Sequence, residues 1–327
     1  MCIRDSAYAD RLDYWVAWLV DPTPVILWGR LLNALLTAGI AAVGAAVGRR
    51  LAGTTGFWTV GLVLAASPLL VRHGQMIDPD GWVGLLAALA VAAILAVGAG
   101  GRRRDYLLAG LWIGLGTAAK YTPLLLAPSL YLVHLERLRG EGRSLARLGL
   151  DDRRFLLAGL VCGLAFAATS PFTLFNLGVL RRDLAWQGDH MALGHFGHAG
   201  QGIGWIHYLA SVLPRALGWP ALGAGVAGLV VAGRGRPVAR ALVWCALPLF
   251  VVLGALHTRF DRYMVPLLLP VAAGAAVLWS GLIAPRLRRR GTTAAVAYVA
   301  LLVLPPALAT VAYLRVQGLP STHALAG

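Results

Sequence analysis

The stretch DPDGWVGLLAALAVAAILAVGAGGRRR, residues 78–104, decides the fold. Two carboxylates, Asp78 and Asp80, stand at one end and three guanidiniums, Arg102, Arg103 and Arg104, at the other. Residues 81–98 between them carry no charge. At ~1.5 Å per residue such a run comes close to covering the ~30 Å of hydrocarbon in a bilayer. It shows no alternation of polar and apolar residues, which excludes a barrel strand. The arginine end belongs in the cytoplasm by the positive-inside tendency, so the two aspartates face the other side.

Working outward, comparable apolar runs recur at residues 24–48, 56–71, 106–119, 122–136, 155–171, 219–233, 241–257, 263–284 and 292–315. The expectation is an all-α, polytopic transmembrane bundle of about ten spans, one domain over residues 1–327, with an outer loop region around 172–218. Of the 327 residues 58% are hydrophobic and 13% charged, too little polar surface for a soluble globule of this size. The net charge of +15 comes from arginines in short clusters between the spans. That pattern sets topology and excludes a nucleic-acid partner. Eighteen arginines fall in five loops: Arg49–Arg50, Arg102–Arg104, Arg137–Arg154, Arg234–Arg240 and Arg286–Arg290. The alternate loops, with the N-terminal segment, hold nine of the 14 acidic residues.

Keeping the loop from Arg137 to Arg154 inside requires residues 106–136 to form a short hairpin, not one helix. Its tip carries Lys120, the one lysine in the chain, and Tyr121. Irregular backbone at that depth is tolerated where protein or a water-filled cavity surrounds it. Counting back places the segment before residue 24 outside, as if a span and an outer loop preceded it. Residues 1–6 (MCIRDS) lack the look of a native beginning, so an N-terminal truncation is expected. Residues 7–21 form an amphipathic segment with Tyr14, Trp15 and Trp18 on its apolar side. Cys2, Cys162 and Cys245 imply no disulfide framework.

Four clusters could carry chemistry. In Arg72-His73-Gly74-Gln75-Met76-Ile77-Asp78-Pro79-Asp80, the proline biases Asp78 away from helical geometry and exposes it. A carboxylate there can act as base, orient a hydroxyl or bind a divalent cation. The plainer reading has Asp80 capping the next helix and Asp78 making a turn. Lys120 with Tyr121 is the second cluster: a cation in apolar sequence seeks an anion such as a lipid phosphate, or snorkels to the headgroups. The third is the segment from Trp186 to His198, where Asp189, His190, His195 and His198 could bind substrate or metal. Its spacings match no strong zinc signature, and its glycines suit a loop that rearranges around a ligand. The fourth, His257-Thr258-Arg259-Phe260-Asp261-Arg262-Tyr263, offers guanidiniums for phosphate and a tyrosine for the interface. A divalent metal is the one cofactor these residues suggest, with Asp78, His190, His195 and His198 as its candidate ligands.

In these motifs the chain resembles the membrane glycosyltransferases that use polyprenyl-phosphate sugars. The branch is that of the protein O-mannosyltransferases and aminoarabinose transferases, family 39 of the C superfamily. The motifs are Gly29-Arg30-Leu31-Leu32-Asn33-Ala34, Gly48-Arg49-Arg50-Leu51, Ser67-Pro68 leading to Asp78, Gly110-Leu111 through Lys120-Tyr121-Thr122, Ser170-Pro171-Phe172, and Arg259 to Tyr263 with Pro266 and Pro270. The resemblance implies an external active site, a polyprenyl-phosphate-linked sugar as donor, a lipid, glycan or protein hydroxyl as acceptor, and inverting displacement. It implies multi-pass residence in the plasma (inner) membrane with an extracellular or periplasmic active face. Asp78, and Asp80 beside it, would be catalytic. Lys120, Tyr121, His73, His190, His195, Arg259, Arg262 and Tyr263 would bind substrate. A catalytic acid in the first outer loop of such enzymes has no counterpart assigned here, Asp10 and Asp13 not being promoted to it, and a fragment without that acid would be inactive as it stands. The rival expectation is a transporter or flippase for a lipid-linked sugar or small solute, which would place its polar site at the midplane, usually between repeats.

Overall fold

The computed structural model describes residues 20–143, 149–193, 203–287 and 291–317. Every regular element among them is helical. The first helix, α1 (Thr23–Ala65), is interrupted at Ala52 and Gly53, where φ swings to −144° and +61°. The chain folds back there. Gly48 and Gly56 on the two limbs touch backbone to backbone, so a Cβ on either would collide with the other's carbonyl. The two expected spans 24–48 and 56–71 thus lie side by side, the small-residue contact that apolar helices use in lipid.

Next come α2 (Pro68–Gly74), α3 (Asp80–Ala99), α4 (Arg103–Ala119), α5 (Leu126–Gly140) and α6 (Arg153–Thr169). Helix α4 stops at Lys120, whose backbone is extended, and a 3-10 turn with Pro123 in its first turn leads into α5. Proline cannot donate the bond that would have continued α4, and the hairpin read from the sequence is observed. The region 172–218, expected as a loop, is helical in most of its described part: Pro171–Phe175, α7 (Leu177–Leu193), Gly204–His207 and Leu213–Leu217. Between residues 177 and 193 only Gly178 and Gly188 disfavour a helix. The C-terminal half comprises α8 (Trp219–Gly233), α9 (Pro237–Ala255), α10 (Val265–Leu278) and α11 (Gly291–Gln317).

Helix α10 is the centre of the bundle, buried from Val265 through Val277 and packed on α1, α3, α8 and α9. Its closest approach is to α8, where Gly228 and Gly274 leave no room for a Cβ. Helices α4 and α6 pair on one flank, and α11 closes the other against α1 and α8.

Ionic contacts sort the helix ends into two faces. At one, Arg137 donates to the Val97 carbonyl (3.5 Å), Arg154 to the Gly101 carbonyl (3.4 Å), and Arg240 to Glu136 (3.2 Å). Three of the five arginine-rich loops therefore meet, as their shared sidedness requires. Here Asp152 accepts from the Arg154 backbone N–H and pairs with Arg143 and Arg154. Among the described residues, five helices are long and apolar enough to cross a membrane alone, or six if Gly204–Leu217 and Trp219–Gly233, bent by 116°, count as one broken span.

Candidate active site

The opposite face is built around the start of α3. Asp78 precedes Pro79 outside the helix, and its Oδ1 accepts the backbone N–H of Asp80 at 3.0 Å. Asp78 thus closes a turn ahead of α3, whose N-cap is Pro79 with no side-chain bond, and Asp80, expected as the cap, instead stands in the first turn of the helix with its side chain turned inward. The Asp80 side chain is 4% exposed and pairs with two cations: Lys120 Nζ at 2.8 Å and Arg262 Nε at 3.7 Å. A buried carboxylate is tolerated when opposite charge meets it in this way.

The other Asp78 oxygen, Oδ2, lies 2.9 Å from Nδ1 of His73, a buried side chain on α2. Asn33, buried on α1, holds this turn from beneath. Its amide donates to the carbonyls of Met76 and of Asp78, the latter at 3.0 Å. The sequence singled out Asn33 only as part of a motif, and nothing in its spacing disclosed this role.

The second wall comes from the segment before α10. Tyr263 presents its ring to Lys120, with Nζ 5.4 Å from the centroid, and its hydroxyl donates to the Met191 sulfur at 3.7 Å. Arg262 lies over the Phe260 ring at 4.2 Å. The His257 N–H donates to the Met191 carbonyl at 3.1 Å, so the end of α7 is fastened to this segment.

Six sequence-predicted residues thus converge: His73, Asp78, Asp80, Lys120, Arg262 and Tyr263. Arg259 is buried nearby in sequence, and Tyr121 is exposed beside Lys120. His190 falls in α7 with its side chain outside what is described; His195 and His198 lie outside the described residues. Among the described residues one group has the spacing of a metal site, His73, Asp78 and Asp80, whose ligand atoms all lie within 4.8 Å of one another. Its fit to a divalent ion is poor, because Lys120 and Arg262 already neutralise Asp80 and repel a third cation.

Chemically, the arrangement offers two cations able to meet a phosphate and, beside them, a partly exposed carboxylate able to take a proton. Fold and site together define a polytopic helical membrane protein with an ionic site at one end of its bundle. Comparison with known families is more particular. Residues 21–146 match the family described as dolichyl-phosphate-mannose-protein mannosyltransferase, supporting the resemblance to membrane glycosyltransferases that use a lipid-linked sugar. The match takes in His73, Asp78, Asp80, Lys120 and Tyr121 and stops short of the Arg259 to Tyr263 segment. Comparison with curated proteins gives no match.

Proposed function

We propose that this chain forms the membrane-embedded part of an enzyme that transfers a sugar from a polyprenyl-phosphate carrier to an acceptor hydroxyl at the non-cytoplasmic face. The observation that carries the reading is the convergence of Lys120 and Arg262 on Asp80, beside Asp78, with Lys120, Asp78 and Asp80, though not Arg262, inside the region matched by the dolichyl-phosphate-mannose-protein mannosyltransferase family. Lys120 and Arg262 hold the carrier phosphate and stabilise the charge that grows on it as the glycosidic bond breaks. Asp78, oriented by His73 and by the Asp80 N–H, accepts the proton of the attacking hydroxyl. Attack from the face opposite the phosphate inverts the anomeric carbon. Asp80 positions the two cations and does not itself meet substrate.

The same reading treats the chain as one domain with the ten helical stretches as spans. It places the acidic face outside the plasma membrane, in accord with the arginine loops gathered at the other end. A transporter is the less supported alternative, since the polar cluster sits at helix ends and not between two repeats. The decisive experiment is transfer from a polyprenyl-phosphate sugar by the membrane-reconstituted protein as its gene encodes it, wild type against Asp78→Asn and Arg262→Ala. The reading requires turnover in the first and its loss in the variants.

A further inference from the structure

A second polar space adjoins the ionic cluster. It is a cavity of about 1030 Å³ between the N-terminal limb of α1, α2, the Leu213–Leu217 helix and the end of α11. Three guanidiniums line it, Arg30, Arg72 and Arg215, against one carboxylate, Asp261. Arg215 and Asp261 are 3.7 Å apart. Neither Arg30 nor Arg72 forms an ion pair among the described residues, and both are exposed.

The partition between this cavity and the cluster runs through single residues. On α2, Arg72 lines the cavity while its neighbour His73 is buried against Asp78. Before α10, Asp261 lines the cavity while its neighbour Arg262 pairs with Asp80. Two compartments thus share a wall, and the cavity carries the surplus positive charge.

Its chemistry and surroundings specify the occupant. Unpaired guanidiniums at the end of membrane helices suit the oxygens of a phosphate, which arginine grips with two parallel bonds. Tyr313, whose hydroxyl donates to Gln75 at 3.4 Å, and Gln317 add neutral donors suited to headgroup hydroxyls. Along α1, Leu27 and Leu31 line the cavity while remaining about half exposed, 57% and 48%, so the space continues into an apolar surface fit for an acyl chain. The volume is ample for a headgroup and the first part of a tail.

We infer that this cavity is a binding site for an anionic amphiphile, its phosphate on Arg30 and Arg72 and its chain along Leu27 and Leu31. The site is distinct from the one around Lys120 and stands whether or not that one transfers sugar.

The test is a titration of the purified full chain in detergent with phosphatidylglycerol, phosphatidylcholine or inorganic phosphate, read by native mass spectrometry. One phosphatidylglycerol should bind at saturation, with phosphatidylcholine at least about tenfold weaker, because its headgroup carries no net charge. Inorganic phosphate at about 10 mM should not displace the lipid, since it lacks the chain. Arg30→Gln with Arg72→Gln should raise the apparent Kd for phosphatidylglycerol at least about tenfold, while Arg30→Lys with Arg72→Lys should recover part of the loss. Should the glutamine pair compromise folding, the wild-type constant must still weaken as salt rises. Arg234→Gln, an exposed arginine on the opposite face, should leave it unchanged. Equal binding of the two lipids, displacement by inorganic phosphate, an unaltered constant in a folded glutamine pair, or loss of binding in Arg234→Gln would each overturn the inference.

Discussion

Asp80 and Lys120, forty residues apart in the chain, meet as an ion pair at 2.8 Å, and this contact ties the start of α3 to the break between α4 and α5. A helix break at membrane depth leaves polar groups that lipid cannot satisfy, and a buried carboxylate alone would be worse. Each group answers the other's need. The pair therefore holds the hairpin tip in place as well as shaping the site.

Removing one partner leaves the other charge uncompensated, and for a buried pair that costs roughly 3–5 kcal/mol. Lys120 is 28% exposed and Arg262 remains beside Asp80, so Lys120→Met should fall below that range, at about 2 kcal/mol. Asp80→Asn should cost more, because it strands two cations. The double variant should be less destabilised than the sum of the single ones, since the contact is lost only once. Thermal unfolding in detergent measures this, and strict additivity would mean that the pair contributes nothing.

Asp78→Asn separates chemistry from structure. Asparagine can still accept the Asp80 N–H and close the turn ahead of α3, so expression and unfolding temperature should stay near wild type. The amide cannot take a proton, and transfer should fall by about 10²- to 10⁴-fold, the usual contribution of a general base. Asp78→Ala should lose the bond to the Asp80 N–H as well and cost about 1 kcal/mol of stability. Turnover in Asp78→Asn near that of wild type would remove Asp78 from the mechanism.

What the sequence disclosed here is what charge and apolar length control. The fold-back near residue 50, the break at Lys120, the meeting of arginine loops and the gathering of Asp78, Lys120, Arg262 and Tyr263 all follow from sidedness. It did not disclose which of two carboxylates two residues apart turns inward, because that depends on Asp78 closing the turn ahead of α3 through the Asp80 N–H. Nor did it show that Arg72 and His73 serve different compartments; adjacent residues diverge only once the helix has a position against its neighbours. The segment 177–193 was read as loop because its polar residues lack a run of apolar partners, yet a helix lying at a surface needs few. Histidines 195 and 198 remain as expectations from residue type alone.

The arginine face makes a pH prediction. Arg154 lowers the carboxyl of Asp152 well below its ordinary value of 3.8, and Arg154 also lowers Glu141 from 4.5. A carboxylate whose folded pKa is depressed contributes stability that is fully present above its unfolded pKa and fades as pH falls toward the folded one. The contribution of these two carboxylates should therefore be level from about pH 6 to 5 and decline as the solution passes below about pH 4. Asp152→Asn should start less stable and show a shallower decline, because one proton-linked group is gone. Parallel profiles for the two proteins would show that Asp152 is not the group responsible.

Topology is tested by a cysteine on each face, with Cys2, Cys162 and Cys245 replaced by alanine. Cys245 is fully buried, so the background protein must first be shown to fold. Asp189→Cys lies on the exposed part of α7, whose end is fastened beside the ionic cluster; Arg143→Cys lies among the contacts that join the arginine loops. If the acidic face is external, a membrane-impermeant maleimide should label residue 189 in intact cells and residue 143 only after permeabilisation. The two positions lie at opposite ends of the bundle, so an impermeant reagent cannot reach both from one side. Labelling in the reverse order would keep the fold and invert its orientation, placing Lys120 and Arg262 at the cytoplasmic leaflet, where an externally facing sugar carrier could not reach them.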